Sequence, residues 1–262
     1  QLIMIDALKR ASAKRITVVA PFYPYARQDK KHLGREPISA RLMADLFRTA
    51  GADRLMSVDL HAAQAQGFFD GPVDHLWAMP VLVDYVRTRV DLSNVAVVSP
   101  DAGRIRVAEK WANKLGGAPL AFIHKTRDTS RPNVAVANRV VGDVEGRECV
   151  LVDDLIDTGG TIAEAVKVLM ASGAKDVIVV ATHGVLSDPA TRRLSESGAR
   201  EVVVTDTLPI VASWKYKIAV LMAAAIGTAN RAPKMPATAE PPVTKMTMAR
   251  ACMLSALPWR TG

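Results

Sequence analysis

The sequence predicts an α/β protein with parallel sheets flanked by helices. Apolar stretches of strand length alternate, over the first 210 residues, with stretches whose apolar residues recur at helical spacing. Such alternation is typical of parallel strands joined by helices. Three predicted strands run into the acids Asp59, Asp101 and Asp153. Because the carboxyl ends of parallel strands face one crevice, we expect polar chemistry to gather there.

The strands are predicted from short apolar runs, and the helices from apolar residues that recur every three or four positions. The predicted strands cover residues 15–20, 54–58, 95–99, 120–123, 148–152, 176–182 and 201–205. The predicted helices cover residues 2–13, 37–50, 79–90, 105–115, 161–171 and 189–197. Neither spacing continues beyond residue 226, and residues 228–262 are expected to be poorly ordered.

Composition excludes several classes of protein. The net charge is +8, but residues 211–262 hold seven Lys or Arg against one Glu, a net of +6, so residues 1–210 carry only +2. A nearly neutral body argues against nucleic-acid binding. The apolar run at 218–226 is too short to cross a bilayer, so no membrane partner is expected. Two cysteines give no disulfide framework, Cys149 is expected to be a packed thiol, and a cytoplasmic location is expected.

The most specific pattern lies between residues 150 and 161. An apolar strand leads into Asp153 and Asp154, and a glycine turn then leads into a helix; the turn holds Asp157, Thr158, Gly159, Gly160 and Thr161. Backbone N–H groups at such a turn, with the helix dipole, bind phosphate, while the acids accept hydrogen bonds from hydroxyls or hold a metal. A sugar phosphate meets both demands. A merely capped turn is less favoured, because three acids in so short a segment repel one another.

Three further segments carry candidate binding groups. The loop at 23–32 is rich in Lys and Arg, which suits a polyphosphate, although a solvated loop has the same composition. His61 follows a strand end, where it could bind a metal or phosphate, although a lone His is usually structural. In an extended chain, Lys125 and Arg127 project to the same side. They could act together as catalytic cations, or they could be two surface charges.

Together these segments resemble the ribose-phosphate diphosphokinases, also called phosphoribosyl pyrophosphate synthetases. The resemblance rests on PFYPYARQDKK at 21–31, VDLH at 58–61, QGFF at 66–69, SPDAG at 99–103, HK at 124–125 and VDDLIDTGGT at 152–161. It covers about residues 1–210. The acidic-glycine segment occurs throughout the type I phosphoribosyltransferases, whereas RQDKK and VDLH single out the synthetases.

The resemblance implies transfer of the diphosphoryl group of Mg²⁺–ATP to ribose 5-phosphate, giving phosphoribosyl diphosphate and AMP for nucleotide biosynthesis. The roles that it implies are ATP binding by Arg27 and Gln28, Mg²⁺ binding by His61 and Asp101, catalytic-loop charge from Lys125 and Arg127, and ribose 5-phosphate binding by Asp153, Asp157, Thr158, Gly159, Gly160 and Thr161. The resemblance also implies a homo-oligomer, which is a hexamer in the family. It further implies that phosphate activates the enzyme and that ADP inhibits it.

The resemblance further implies two type I phosphoribosyltransferase-like domains, of which the first is incomplete. We expect a remnant of the N-terminal domain at 1–75, a C-terminal domain at 76–210 and an atypical basic tail at 211–262. Because both ends depart from the family, the chain is expected to be weakly active or inactive. Two alternatives stay open: a phosphoribosyltransferase that consumes phosphoribosyl diphosphate, and a non-catalytic synthetase-associated subunit. In the segment SPDAGR, Arg104 stands where many members have Gly and is interpreted as a tolerated change at a helix start.

Overall fold

The computed structural model describes residues 1–125, 138–209 and 218–221, and of Lys125, Asn138 and 218–221 it describes the backbone alone. The strands within these residues are β1 Thr17–Val19, β2 Arg54–Val58, β3 Val73–Leu76, β4 Val95–Ser99, β5 Leu120–Lys125, β6 Asn138–Val141, β7 Glu148–Ile156, β8 Asp176–Gly184, β9 Glu201–Thr205 and β10 Ile218–Leu221. The α-helices are α1 Leu2–Arg10, α2 Ser39–Ala50, α3 Met79–Arg87, α4 Ile105–Lys114, α5 Gly160–Ala171 and α6 Ala190–Ser195. Short 3₁₀ helices cover Ala63–Phe68 and Ala102–Arg104.

The strands form two sheets. A three-stranded parallel sheet has the order β1-β2-β3, and a seven-stranded sheet has the order β10-β9-β8-β7-β4-β5-β6. In the larger sheet every pairing is parallel except that of β5 with the edge strand β6. The predicted α/β class with parallel sheets flanked by helices is therefore confirmed. The division into domains at residue 75 stays a prediction.

The centre of the larger sheet is buried on both faces. Every residue of β4 is buried, as are the first five residues of β7, and this explains their unbroken apolar sequences. Helix α5 packs Ile162, Val166 and Leu169 into the core on one side of the sheet. Each such side chain contributes roughly 1.5–3 kcal/mol to folding by leaving water. The packed centre fixes the strand ends on which the polar groups lie.

Three strands were absent from the sequence prediction. They are β3, β6 and β10, and two of them, β6 and β10, form the outer edges of the seven-stranded sheet. The sequences VDHL of β3 and NRVV of β6 hold only two apolar residues each, too few for a period to be seen. Strand β10 pairs in parallel with β9, inside the segment expected to be an atypical tail. The expected disorder of residues 228–262 falls outside the described residues.

Strand β7 is longer than predicted, and this changes the setting of the acids. The strand continues to Ile156, so Asp153 and Asp154 lie within it and not in a following turn. Asp153 is in register with Ala181, and Leu155 with His183, because β8 also continues, to Gly184. The turn before α5 is correspondingly short. Among the described residues, no helix is long and apolar enough to span a membrane.

Candidate active site

The turn after β7 brings backbone N–H groups to one point. Gly159 precedes α5 with a φ of +72°, a left-handed conformation that glycine adopts without strain. A side chain there would also crowd the backbone of Ala190, whose Cα lies 3.3 Å from the position of a Cβ. Gly159, the N-cap residue of α5, has no side chain with which to cap the helix. The first N–H groups of the helix therefore suit an anion, as the sequence predicts for Gly159, Gly160 and Thr161.

Two arginines flank this turn from different parts of the chain. Arg27, in the loop after β1, donates from Nη1 to Oδ2 of Asp157 at 3.2 Å. Arg193, on α6, donates from Nη1 to the carbonyl oxygen of Thr158 at 3.2 Å. The Arg27 contact joins residues 130 positions apart, so the basic loop and the acidic turn meet as the sequence interpretation requires. Gln28, the next residue, is exposed in the same loop.

His61 lies against the acids of β7. Its Nδ1 is 2.6 Å from Oδ2 of Asp154. Nη2 of Arg104 is 2.6 Å from the same ring nitrogen and 2.9 Å from the same carboxylate oxygen. Arg104 also donates from Nη1 to the carbonyl oxygen of His61 at 3.1 Å. Arg104 does stand at a helix start, since it precedes α4. Its side chain also reaches into the site, where it joins three predicted segments: its own SPDAGR segment, that of His61 and that of Asp154.

The adjacent acids of β7 have opposite pKa shifts. Burial and the neighbouring charge of Asp154 raise the pKa of Asp153 well above its usual value. Burial alone would raise the pKa of Asp154 too, but hydrogen bonds from His61 and Asp153 and the charge of Arg104 outweigh it and lower that pKa to about 2. Asp154 is therefore the more readily ionised member of the pair. A carboxyl group that keeps its proton at Asp153 could both donate to and accept from a sugar hydroxyl.

Asp59 connects the smaller sheet to this site. It follows β2 with a φ of +39°, and its Oδ2 accepts from Thr182 Oγ1 at 2.6 Å and from the backbone N–H of Ala78 at 3.1 Å. Burial raises the pKa of its carboxyl group. Because His61 is two residues further on, the anchoring of Asp59 helps to fix the backbone that carries His61.

A cavity of about 50 Å³ is lined in part by the acids. Its walls include the acids Asp59, Asp153 and Asp154 and the aromatic residues Trp77 and Trp111. The volume admits a few water molecules and is too small for a sugar phosphate. We therefore assign the candidate substrate site to the outer surface of the turn, and the cavity to the support of the acids.

The predicted metal ligands suit an ion that arrives with phosphate. Mg²⁺ commonly binds one or two protein side chains together with substrate phosphates and water. Within residues 1–125 and 138–209, no three His, Cys, Asp or Glu side chains are grouped to hold a metal by themselves. His61 and Asp101 therefore fit the role of supplementary ligands, although Asp101 already accepts from the backbone N–H of Gly103 through Oδ1 at 2.8 Å. Their roles stay predictions.

Two predicted residues cannot be located. The side chain of Lys125 and the whole of Arg127 fall outside the described residues. Conversely, the sequence analysis missed Arg104, Thr182, His183 and Arg193 as neighbours of the site. A signal existed for two of them: Thr182 and His183 stand at the end of an apolar strand, where parallel sheets collect polar groups. Arg193 and the side chain of Arg104 lie on helix surfaces and give no such signal.

Comparison with known proteins agrees with these segments. Residues 1–51 match the model of the N-terminal domain of ribose phosphate pyrophosphokinase, and residues 125–231 match that of the phosphoribosyl synthetase-associated domain. The ribose-phosphate pyrophosphokinase of Bifidobacterium longum is 71% identical over 234 residues, which cover 86% of this chain and 69% of that protein. The chain belongs to the ribose-phosphate pyrophosphokinase family. The predicted family is thereby confirmed, and the match to residue 231 extends past the predicted limit near residue 210.

Other ribose-phosphate pyrophosphokinases agree with this assignment. That of Corynebacterium glutamicum is 70% identical over 209 residues, 80% of this chain and 64% of that protein. The crystal structure of phosphoribosylpyrophosphate synthetase from Mycobacterium smegmatis matches with a TM-score of 0.81 and 63% identity, over 87% of this chain and 74% of that one. The chain therefore spans about two thirds to three quarters of the length of these relatives. They favour neither alternative, the phosphoribosyltransferase or the non-catalytic subunit.

Proposed function

We propose that this chain carries the ribose-phosphate pyrophosphokinase activity by which its relatives are named. The substrates are ATP and ribose 5-phosphate, and the products are phosphoribosyl diphosphate and AMP. The C1 oxygen of the sugar forms a bond to the β-phosphorus of ATP. The bond between that phosphorus and the oxygen bridging it to the α-phosphorus breaks, AMP leaves with the bridging oxygen, and the C1 hydroxyl loses its proton.

The observation that carries the proposal is the contact of Arg27 with Asp157. Arg27 belongs to the segment expected to bind ATP, and Asp157 to the turn expected to bind ribose 5-phosphate. A diphosphoryl transfer needs both substrates in one crevice with their reacting atoms in contact. A phosphoribosyltransferase needs the acidic turn but has no use for the basic loop beside it.

The roles proposed for individual residues are those that the family resemblance implies, and their chemistry is compatible with them. The N-terminus of α5 receives the 5-phosphate, and Asp153 and Asp157 hydrogen bond to ribose hydroxyls. Arg27 and Gln28 contact ATP, and Arg27 exchanges its bond with Asp157 for a charge-assisted one to phosphate. Mg²⁺ neutralises phosphate charge when it is bound, with His61 and Asp101 as protein ligands. Lys125 and Arg127 stabilise charge on the transferred group.

Broader properties of the family extend the proposal. They are a cytoplasmic homo-oligomer, assembled as hexamers, with activation by phosphate and inhibition by ADP. Sedimentation velocity with and without phosphate tests assembly. A single sedimenting species of monomer mass at all concentrations would contradict the oligomer.

Calorimetry tests the substrate pair without requiring turnover, since weak activity is expected. The unmodified chain should bind ribose 5-phosphate alone, and ATP in the presence of Mg²⁺. Arg27→Gln should weaken ATP binding about tenfold or more, because one charge-assisted bond to phosphate is lost. Arg41→Gln is the matched control, because Arg41 makes a similarly exposed ion pair on α2, with Asp45 at 2.9 Å. Its effect on ATP binding should be negligible.

A coupled assay for AMP release then tests the reaction itself. AMP should form only when ATP, ribose 5-phosphate and Mg²⁺ are all present, and ³¹P NMR should detect phosphoribosyl diphosphate. Binding of phosphoribosyl diphosphate without any binding of ATP would identify a transferase and overturn the proposal. Equal ATP affinities of the Arg27→Gln and Arg41→Gln variants would refute the role of Arg27.

A further inference from the structure

The guanidinium group of Arg104 occupies the centre of the acidic cluster, defined here as Asp153, Asp154 and His61. It contacts Asp154 and His61 as described above, and its Nε lies 3.8 Å from Oδ1 of Asp153. Only 18% of the Arg104 side chain is exposed, and 11% of that of Asp154. Arg104 is therefore a largely buried counter-ion and not a surface charge.

The atoms that hold Arg104 are of the types that bind divalent metals, a carboxylate oxygen and an imidazole nitrogen, and His61 is a predicted metal ligand. Asp154 Oδ2 and His61 Nδ1 lie 2.6 Å apart, and Nη2 of Arg104 touches both. The other ring nitrogen of His61, Nε2, is 3.5 Å from the same Nη2. A divalent cation bound to either nitrogen would stand within a few ångströms of the positively charged guanidinium group of Arg104. The two cations cannot occupy the cluster together without strong repulsion.

We propose that Arg104 is the resident cation of this cluster and competes with divalent metal for His61 and Asp154. It holds both side chains in one arrangement and supplies positive charge in the metal-free protein. Metal that arrives on a nucleotide must displace the guanidinium before it can bind His61. This inference deepens the proposed function, since it concerns the metal of the same site, but its test uses neither substrate nor turnover.

The test is Mn²⁺ binding to the 262-residue chain, measured by calorimetry and by the electron paramagnetic resonance of free Mn²⁺ without nucleotide or sugar. Arg104→Gln keeps a hydrogen-bonding amide but removes the charge, and it should tighten Mn²⁺ binding about tenfold or more. Arg104→Lys keeps the charge and should stay within about threefold of the unmodified chain. Arg106→Gln is the matched control for net charge, because Arg106 is an exposed arginine two residues further on, in α4, and this change should have no measurable effect.

Location is tested by adding His61→Asn to the Arg104→Gln variant. The double variant should lose the gained affinity, because the imidazole is part of the metal site. Equal Mn²⁺ affinity of the unmodified chain and Arg104→Gln would overturn the proposal, as would a gain that survives His61→Asn. If Arg104→Gln does not fold, Arg104→Lys still tests the proposal. A tenfold gain in Mn²⁺ affinity in that charged variant would exclude competition by charge. Failure of ATP binding would refute the proposed function and leave these Mn²⁺ results unaffected.

Discussion

Nε2 of His183 lies 3.0 Å from the carbonyl oxygen of Val58, and this contact joins the seven-stranded sheet to the three-stranded one. The same nitrogen is 3.2 Å from the carbonyl oxygen of Asp59, so it faces two acceptors and must carry the proton. Nδ1 then accepts from the hydroxyl of Thr207 at 2.8 Å. The buried imidazole is therefore neutral and holds in place the chain segment that leads to His61.

Replacement of His183 by Leu should lower the free energy of unfolding by about 2–3 kcal/mol. The variant leaves the two carbonyl oxygens and the Thr207 hydroxyl without this partner in a buried setting. Urea denaturation followed by circular dichroism measures the loss. His32→Leu is the control, because His32 is exposed, and it should change the free energy by less than about 0.5 kcal/mol. A His183→Leu variant as stable as the control would mean that this contact does not hold the sheets together.

The stabilising effect of His183 should decline in acid. Burial lowers the pKa of His183 below its usual 6.5, so the folded protein resists protonation while the unfolded chain accepts a proton. Unfolding then takes up a proton below pH 6.5, and stability falls as the pH falls from that value through the folded pKa. The difference in unfolding free energy between the unmodified chain and His183→Leu should therefore shrink between neutral and mildly acidic pH. A difference that grows in acid would contradict a neutral imidazole.

Sequence reasoning predicted the parts of this molecule in which local pattern and burial agree. The unbroken apolar sequence of β4 and the helical period of α5 both match their burial, and the acidic-glycine turn is recognisable because few other structures need those residues together. It could not find the side chain of Arg104 in the site. The side chain of a residue at the start of a helix leaves in a direction that depends on how the helix packs, and one sequence does not contain that information. The same holds for β3, whose pairing with β2 and not its own composition makes it a strand.

Asp153 and Asp154 should respond differently to the same change. Because burial and the charge of Asp154 raise the pKa of Asp153, ionised Asp153 adds little to stability, and Asp153→Asn should alter the free energy of unfolding by less than about 1 kcal/mol. Asp154→Asn should cost about 2–3 kcal/mol, since it leaves the largely buried Arg104 without its closest counter-ion. Each variant is the matched control of the other in paired urea titrations. A larger loss for Asp153→Asn would reverse the assignment of charge within the pair.

The thiol of Cys149 should be inert in the folded protein. Its side chain is buried in the core of the larger sheet, and burial raises the pKa of the thiol to about 12. Since only the thiolate reacts, a thiol with this pKa is about 10⁻⁴ ionised at about pH 8. In a Cys252→Ser background, which leaves Cys149 as the sole cysteine of the sequence, Ellman's reagent should label almost nothing until denaturant is added. One equivalent should then react per chain.

The labelling rate in increasing denaturant should follow the unfolding curve, because exposure of Cys149 requires β7 to leave the centre of the sheet. Rapid labelling without denaturant would mean that this strand opens locally, and the acids that it carries would then lack the fixed support on which the candidate site depends.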